Sequence, residues 1–247
     1  MAGNLPLSTL EGSIMIRSWM GAALGVGVLL TVLLGHCATA ALGIPKAAPA
    51  GAATTSPPTA STGSTPPGAD RGAATARLSI PSIGVRNLRV VPYAGTTDDW
   101  PGTLIQNRGL AASPHGARGG VGPGEIGNYL VTGHRLSAGG PLRELPSVRA
   151  GEKILVTTGG TTYTYTVTET RKTDFRSPRS LAEQRAEVPG SPSQKPTKAM
   201  ITVSTCATLE DNAAGNHWRD AKDNPQHRID KVGVLTARSK AEPSPGS

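Results

Sequence analysis

From Arg77 onward the chain breaks into short runs of alternating or β-branched residues, separated by clusters of Gly, Pro, Asn and Ser, and no helical seam runs through it. This texture restricts the fold to a mostly β domain. Candidate strands are 77–80, 88–92, 128–133, 153–157, 162–168, 199–205 and 231–236. The clearest lies in TTYTYTVTET, where Tyr163, Tyr165 and Val167 share one face and threonines take the other. Residues 141–148 and 180–186 can form helices of one or two turns, too little to define a fold. An antiparallel barrel or sandwich suits this pattern. The glycine-rich stretch 109–127 is expected to be a surface loop around a site.

The N-terminal third cannot add a second globular unit. Residues 19–41, WMGAALGVGVLLTVLLGHCATAA, would extend about 35 Å as a helix, enough to span a bilayer. Arg17 precedes the run and Lys46 follows it, so the positive-inside bias is weak, and it is the short N-terminal arm that makes a cytoplasmic N terminus and an external C terminus the simpler topology. Ala38, Thr39 and Ala40 form an A-x-A pattern open to signal peptidase, but the apolar run is longer than a signal core, which favours a signal-anchor. Residues 42–76 are nearly all Ala, Pro, Gly, Ser and Thr and cannot offset their ordering entropy, so a semi-extended, disordered linker is expected. The expected organisation is an N-terminal arm at 1–18, a transmembrane segment at 19–41, the linker at 42–76, one folded β domain at 77–240 and a tail at 241–247. A domain of that size can bury enough surface to fold without disulfides or metals.

The 247-residue chain carries a net charge of +8, of which +7 falls after residue 76. A basic surface suits an anionic envelope polymer or lipid face. Nucleic acid is discounted, because there is no binding motif and eight aromatic residues supply no stacking platform. The two cysteines, Cys37 in the apolar run and Cys206 after a strand-like stretch, are not expected to pair. His134, Cys206, His217 and His227 lack the close-paired spacing of structural zinc, so neither metal nor cofactor is expected.

Three reactive groups stand at strand ends. NYLVTGHR leads into His134, MITVSTC ends in Cys206, and Arg228 precedes the strand in HRIDKVGVL. Strand termini far apart in sequence can converge at one rim of a sheet. A thiol near its reference pKa needs a neighbour that takes its proton, which His134 could supply. The fixed charge and planar fork of Arg228 suit a developing oxyanion. His115, His217 and His227 lie in polar, loop-like sequence and are given no role. His134 comes 72 residues before Cys206, whereas papain-like proteases place Cys first, and VSTCAT does not match the SHGC signature of L,D-transpeptidases.

The chain over roughly 77–238 resembles the sortases: a TGH triplet after a strand, an apolar strand into TC, then an Arg before the last strand. The opening RLSIPSIGV is similar to the start of sortase domains, and PGEIGNYLVTGHR is most similar to class E, housekeeping-like members. The resemblance implies an eight-stranded β-barrel that cleaves an LPXTG-like or LAXTG-like sorting signal after Thr through a thioacyl enzyme. It implies transfer of the secreted protein to the amine of a peptidoglycan precursor, by an extracytoplasmic domain anchored in the cell membrane. By motif position Cys206 carries over as nucleophile, His134 as acid/base and Arg228 as oxyanion-stabilising or substrate-orienting residue. Sortases usually place the arginine about ten residues after the cysteine, whereas here 21 residues intervene and Arg219 competes; Arg228 is preferred because it adjoins the apolar strand. The DDW at 98–100 does not match the lid motif of pilin-polymerising members, which favours wall anchoring. A non-catalytic, basic wall-binding module and an L,D-transpeptidase-like crosslinker are the alternatives.

Overall fold

The computed structural model describes residues 74–241. The expected arm and transmembrane segment, nearly all of the expected linker and most of the expected tail lie outside the described residues. Among those described, no helix is long and apolar enough to cross a membrane.

Eight strands close a barrel: β1 (Ala76–Ile80), β2 (Val85–Ala94), β3 (Ala111–His115), β4 (Gly127–Thr132), β5 (Lys153–Thr158), β6 (Thr161–Asp174), β7 (Ala199–Cys206) and β8 (His227–Lys240). Around the barrel the order is β1-β2-β3-β4-β7-β8-β6-β5, and β5 pairs back onto β1. Three short helices, α1 (Trp100–Gln106), α2 (Pro178–Arg185) and α3 (Thr208–Ala213), sit on the connections. All eight strands implied by the resemblance are present.

The expectation of an antiparallel sheet needs correction, because β2 pairs parallel with β3 and β4 pairs parallel with β7. Parallel neighbours require long crossovers. The first crossover carries α1, and the second runs through β5, β6 and α2. Strand β3 also overturns the reading of 109–127 as continuous loop, since Ala111–His115 pairs with β2 over five residues.

Alternation sets the core. Tyr163, Tyr165 and Val167 on β6 point inward with Leu78, Ile80, Tyr129, Val131, Ile154, Val156, Ile201 and Val203. The 141–148 segment makes only a one-turn 3-10 helix at Leu145–Ser147, yet Leu142, Leu145 and Val148 join that core. Strand β4 is buried along its whole length, as expected for a strand covered on both faces.

A polar network pins α2 to the outer face. Thr202 donates to Asn128 Oδ1 at 2.9 Å, and Asn128 donates to the carbonyls of Gln184 and Ala186 at 3.1 and 3.0 Å. Gln184 Nε2 donates to Ser204 Oγ at 3.2 Å and Asp230 Oδ1 at 3.0 Å. Each of these buried polar groups therefore finds a partner, Thr202 and Asn128 across β7 and β4, and Gln184 of α2 on both β7 and β8.

One glycine is required by both conformation and space. Gly124 has φ +78°, its N–H donates to the Tyr165 hydroxyl at 2.7 Å, and an added Cβ would fall 2.1 Å from the Tyr163 ring. Gly124→Ala is expected to destabilise the barrel by about 3 kcal/mol, read as a lower urea midpoint at unchanged m value.

Candidate active site

The strand register brings the three predicted residues together. On the parallel pair, Thr132 of β4 lies opposite Ser204 of β7. His134 and Cys206 each stand two residues further on, so the 72-residue offset that aligns the strands also aligns these two. The extension is locked by Gly133 N–H donating to Ser204 O at 3.1 Å and by Thr205 Oγ1 donating to Gly133 O at 2.8 Å. On the antiparallel side Cys206 lies directly opposite Arg228 of β8. Cross-strand neighbours present their side chains to the same face of a sheet. His134, just beyond the end of β4, thus stands level with Cys206 on β7 and Arg228 on β8.

All three line a recess with Asp98, Gln106, Thr132, Ser204 and Asn224, holding about 10 Å³ of open space, room for no more than a single water. His134 and Cys206 also border a wider cleft of about 370 Å³, formed with Arg135, Leu136, Arg219, Lys222 and Asn224. Cys206 is partly exposed and is a free thiol.

Burial pushes the Cys206 thiol above its ordinary pKa, and the nearby Arg228 charge pulls it back. Burial, followed by the same Arg228 charge, pushes His134 below 6.5. Near neutral pH the pair therefore rests mainly as thiol and neutral imidazole. His134 Nε2 lies 2.7 Å from Asn107 Oδ1, and an amide oxygen there calls for Nε2–H, leaving the lone pair of the neutral ring on Nδ1. Asn224 Oδ1 accepts weakly from the thiol at 3.9 Å.

Arg228 is 2% exposed. Its Nε donates to Asp98 Oδ1 at 3.0 Å, and its Nη1 donates to the carbonyls of Pro225 and His227 at 2.8 and 3.3 Å. The Phe175 ring lies 4.8 Å from the guanidinium carbon. Arg219 is held differently. Its Nη2 donates to Asn212 Oδ1 at 2.6 Å and its Nη1 to Trp218 O at 2.7 Å, and it stands off the β7–β8 ladder, bridging only to Pro225. It faces the wide cleft and not the narrow recess.

The other histidines among the described residues fall outside this level. His227 Nδ1 lies 2.7 Å from Oδ1 of the buried Asp211, tying α3 to the start of β8. His115 ends β3, and His217 is exposed in the segment between α3 and β8.

Residues missed in the sequence are Asp98, Asn107 and Asn224, each a loop polar group whose partner is distant in the chain. Asp98 offered one signal, as the first of the two acids in a TDDW run before a short helix.

A family description, Sortase domain, matches residues 78–219, more than half of the chain. The match includes His134 and Cys206 and ends before Arg228. No curated protein matches the chain. Among solved structures, the SrtA sortase from Actinomyces oris is similar at 21% identity and a TM-score of 0.53, covering 74% of this chain and 93% of that one. Sortase E from Streptomyces avermitilis is similar at 24% identity and a TM-score of 0.50, covering 70% and 96%. Sortase E1 from Streptomyces coelicolor, with a tripeptide in its active site, is similar at 19% identity and a TM-score of 0.51, with the same coverage. At such identities these likenesses show the fold. The family match shows the class: the chain belongs to the sortase family and is a cysteine transpeptidase.

Proposed function

We propose that this transpeptidase joins secreted proteins bearing an LPXTG-like or LAXTG-like C-terminal signal to an amine of a peptidoglycan precursor. The observation that carries the proposal is the narrow recess that His134, Cys206 and Arg228 line together. In the first half, the Cys206 sulfur attacks the threonine carbonyl as its proton passes to His134. The oxyanion is held by the Arg228 guanidinium until the amide C–N bond breaks. His134 gives its proton to the departing amine, leaving a thioester on Cys206. In the second half, the acceptor amine attacks the thioester, a new amide forms, and the amine's proton returns through His134 to the thiolate. The wider cleft beside His134 and Cys206 has space for that amine to approach.

The domain acts outside the cell membrane in this reading, anchored through residues 19–41 and spaced from it by the linker at 42–76. Its basic surface suits the anionic envelope in which acceptor and substrate meet. Similarity to class E members supports the housekeeping role.

The test is intact-mass spectrometry of the full-length chain, purified in mild detergent, with LPXTG and LAXTG peptides and triglycine as acceptor. A thioacyl adduct on Cys206, or an amine-exchanged peptide, is the expected result and ranks the two motifs. Silence with both peptides on folded protein overturns the proposal and leaves a wall-binding module or a peptidoglycan crosslinker.

A further inference from the structure

We infer that Asp98 is a positioning residue for the transfer reaction: its carboxylate fixes the orientation of the Arg228 guanidinium, and its carbonyl ties the β2–α1 loop to the segment between β7 and β8. This inference rests on the proposed roles of Cys206 and Arg228.

The Arg228 fork is divided unequally. Nε is taken by Asp98 Oδ1 and Nη1 by two main-chain carbonyls. Nη2 lies 3.0 Å from the same Asp98 oxygen, but makes no aligned hydrogen bond and is buried. Asp98 Oδ2 is likewise buried without a hydrogen-bond partner. Buried polar atoms left unpaired are costly, and two of them share this one ion pair in the recess that Cys206 lines. The arrangement holds two of three guanidinium nitrogens fast and leaves the N–H groups of the third for a substrate oxygen.

Charge alone does not explain an acid here. The ionisable groups acting on Cys206 are Arg228, Asp98, Asp220 and Arg135, with His134 in the same recess, and Asp98 opposes Arg228 by disfavouring thiolate. Were Arg228 present only to favour thiolate, a carboxylate 3.0 Å from it would work against that purpose. Aligning a planar donor is a task that a carboxylate does well.

The backbone is built to deliver Asp98. It has φ +64°, in the left-handed region that non-glycine residues seldom adopt. Both flanking residues are pinned. Thr97 is buried, accepting from Arg185 Nε at 2.8 Å and donating to Gln184 Oε1 at 3.0 Å. Asp99 caps α1, with Oδ1 accepting from Gly102 N–H and Oδ2 from Thr96 N–H, both at 2.9 Å. Lys222 Nζ then donates to the Asp98 carbonyl, joining the two loops beside Cys206.

The test compares Asp98→Asn and Asp98→Glu with wild type in the full-length chain. The readouts are steady-state exchange of the LAXTG and LPXTG peptides with triglycine, and the pH profile of Cys206 alkylation by iodoacetamide without peptide. Asn tolerates the left-handed conformation and removes the charge; Glu keeps the charge and misplaces it. Both variants are expected to lose at least about tenfold in kcat with KM changed less than about threefold. The alkylation profile is expected to move to lower pH in Asp98→Asn and to stay in place in Asp98→Glu. More thiolate with less transfer is an outcome that loss of loop stability does not produce. A kcat within about threefold of wild type in both variants, a loss confined to KM, or an alkylation profile moved to higher pH overturns the inference. If Asp98→Asn fails to fold, Asp98→Glu decides by the same criteria. Silence of wild type sinks the proposed function and this role together, whereas wild-type turnover with unaffected variants sinks only this role.

Discussion

Cys206→Ala is expected to end both adduct formation and peptide exchange, a loss of about 10⁴-fold or more, with the barrel still folded. The thiol makes one weak contact, to Asn224 at 3.9 Å, so its removal takes little from stability. The loss falls on chemistry because no other thiol exists among the described residues. Cys206→Ser should be nearly as damaging, since an alcohol stays protonated under conditions in which even a raised thiol gives some thiolate. Intact mass after incubation with peptide reads the adduct directly, and a surviving adduct in Cys206→Ala would remove the residue from the mechanism.

The same pair sets the pH dependence. With His134 held below 6.5 and Cys206 above its ordinary value near 9.0, the singly protonated pair exists between those limits, as thiol with imidazole or as thiolate with imidazolium. Activity in kcat/KM requires that state. Its rise is expected below pH 6.5 and its fall above pH 9, giving a broad plateau across neutrality.

Strand β6 was legible because alternation over Tyr163, Tyr165 and Val167 is a local pattern, and the barrel interior satisfies it directly. Strand β3 was not. Its AASPH carries a proline and two alanines, sits among glycines, and gains strand character only from pairing with β2. Helix α1 escaped for a related reason: WPGTLIQ puts Pro and Gly in the first turn, which reads as punctuation until the Asp99 cap is seen. Parallel pairing was hidden too, since the partners of β2 and β4 are chosen by closure of the barrel and not by either strand's own sequence.

The candidate site divides along the same line. His134, Cys206 and Arg228 could be singled out because each lies at or within two residues of a strand end, and a strand end is visible locally. Asp98 was not, because its significance comes from a partner 130 residues away, and its short loop lies between elements that were only partly legible. The 21-residue separation of Cys206 and Arg228 raised the question of which arginine belongs to the level. Structurally the separation is absorbed by α3 and a loop whose turn is organised by Asp220, which accepts from the N–H groups of Lys222 and Asn224, both at 2.8 Å. The chain then returns to β7 with Arg228 opposite Cys206.

Arg228→Lys is therefore expected to lower kcat by about 10²-fold, and Arg228→Ala by about 10³-fold, with smaller changes in KM. A lysine keeps the charge, but its single nitrogen cannot bond Asp98, Pro225 and His227 together and still present N–H groups to an oxyanion. Alanine does more. It strands the Asp98 carboxylate, only 11% exposed, without its counter-charge, and it empties the place beside the Phe175 ring. Removing one partner of such a buried pair costs about 3–5 kcal/mol, so Arg228→Ala should also lower the urea midpoint substantially, while Arg228→Lys lowers it less. Arg219→Ala is the control. That guanidinium bonds Asn212 and the Trp218 carbonyl, lies off the strand ladder and is only half-buried, so its loss is expected to change kcat less than about threefold. Comparable losses in Arg219→Ala and Arg228→Ala would show that the oxyanion is held from the wide cleft and not from the recess, and the role assigned to Arg228 would pass to Arg219.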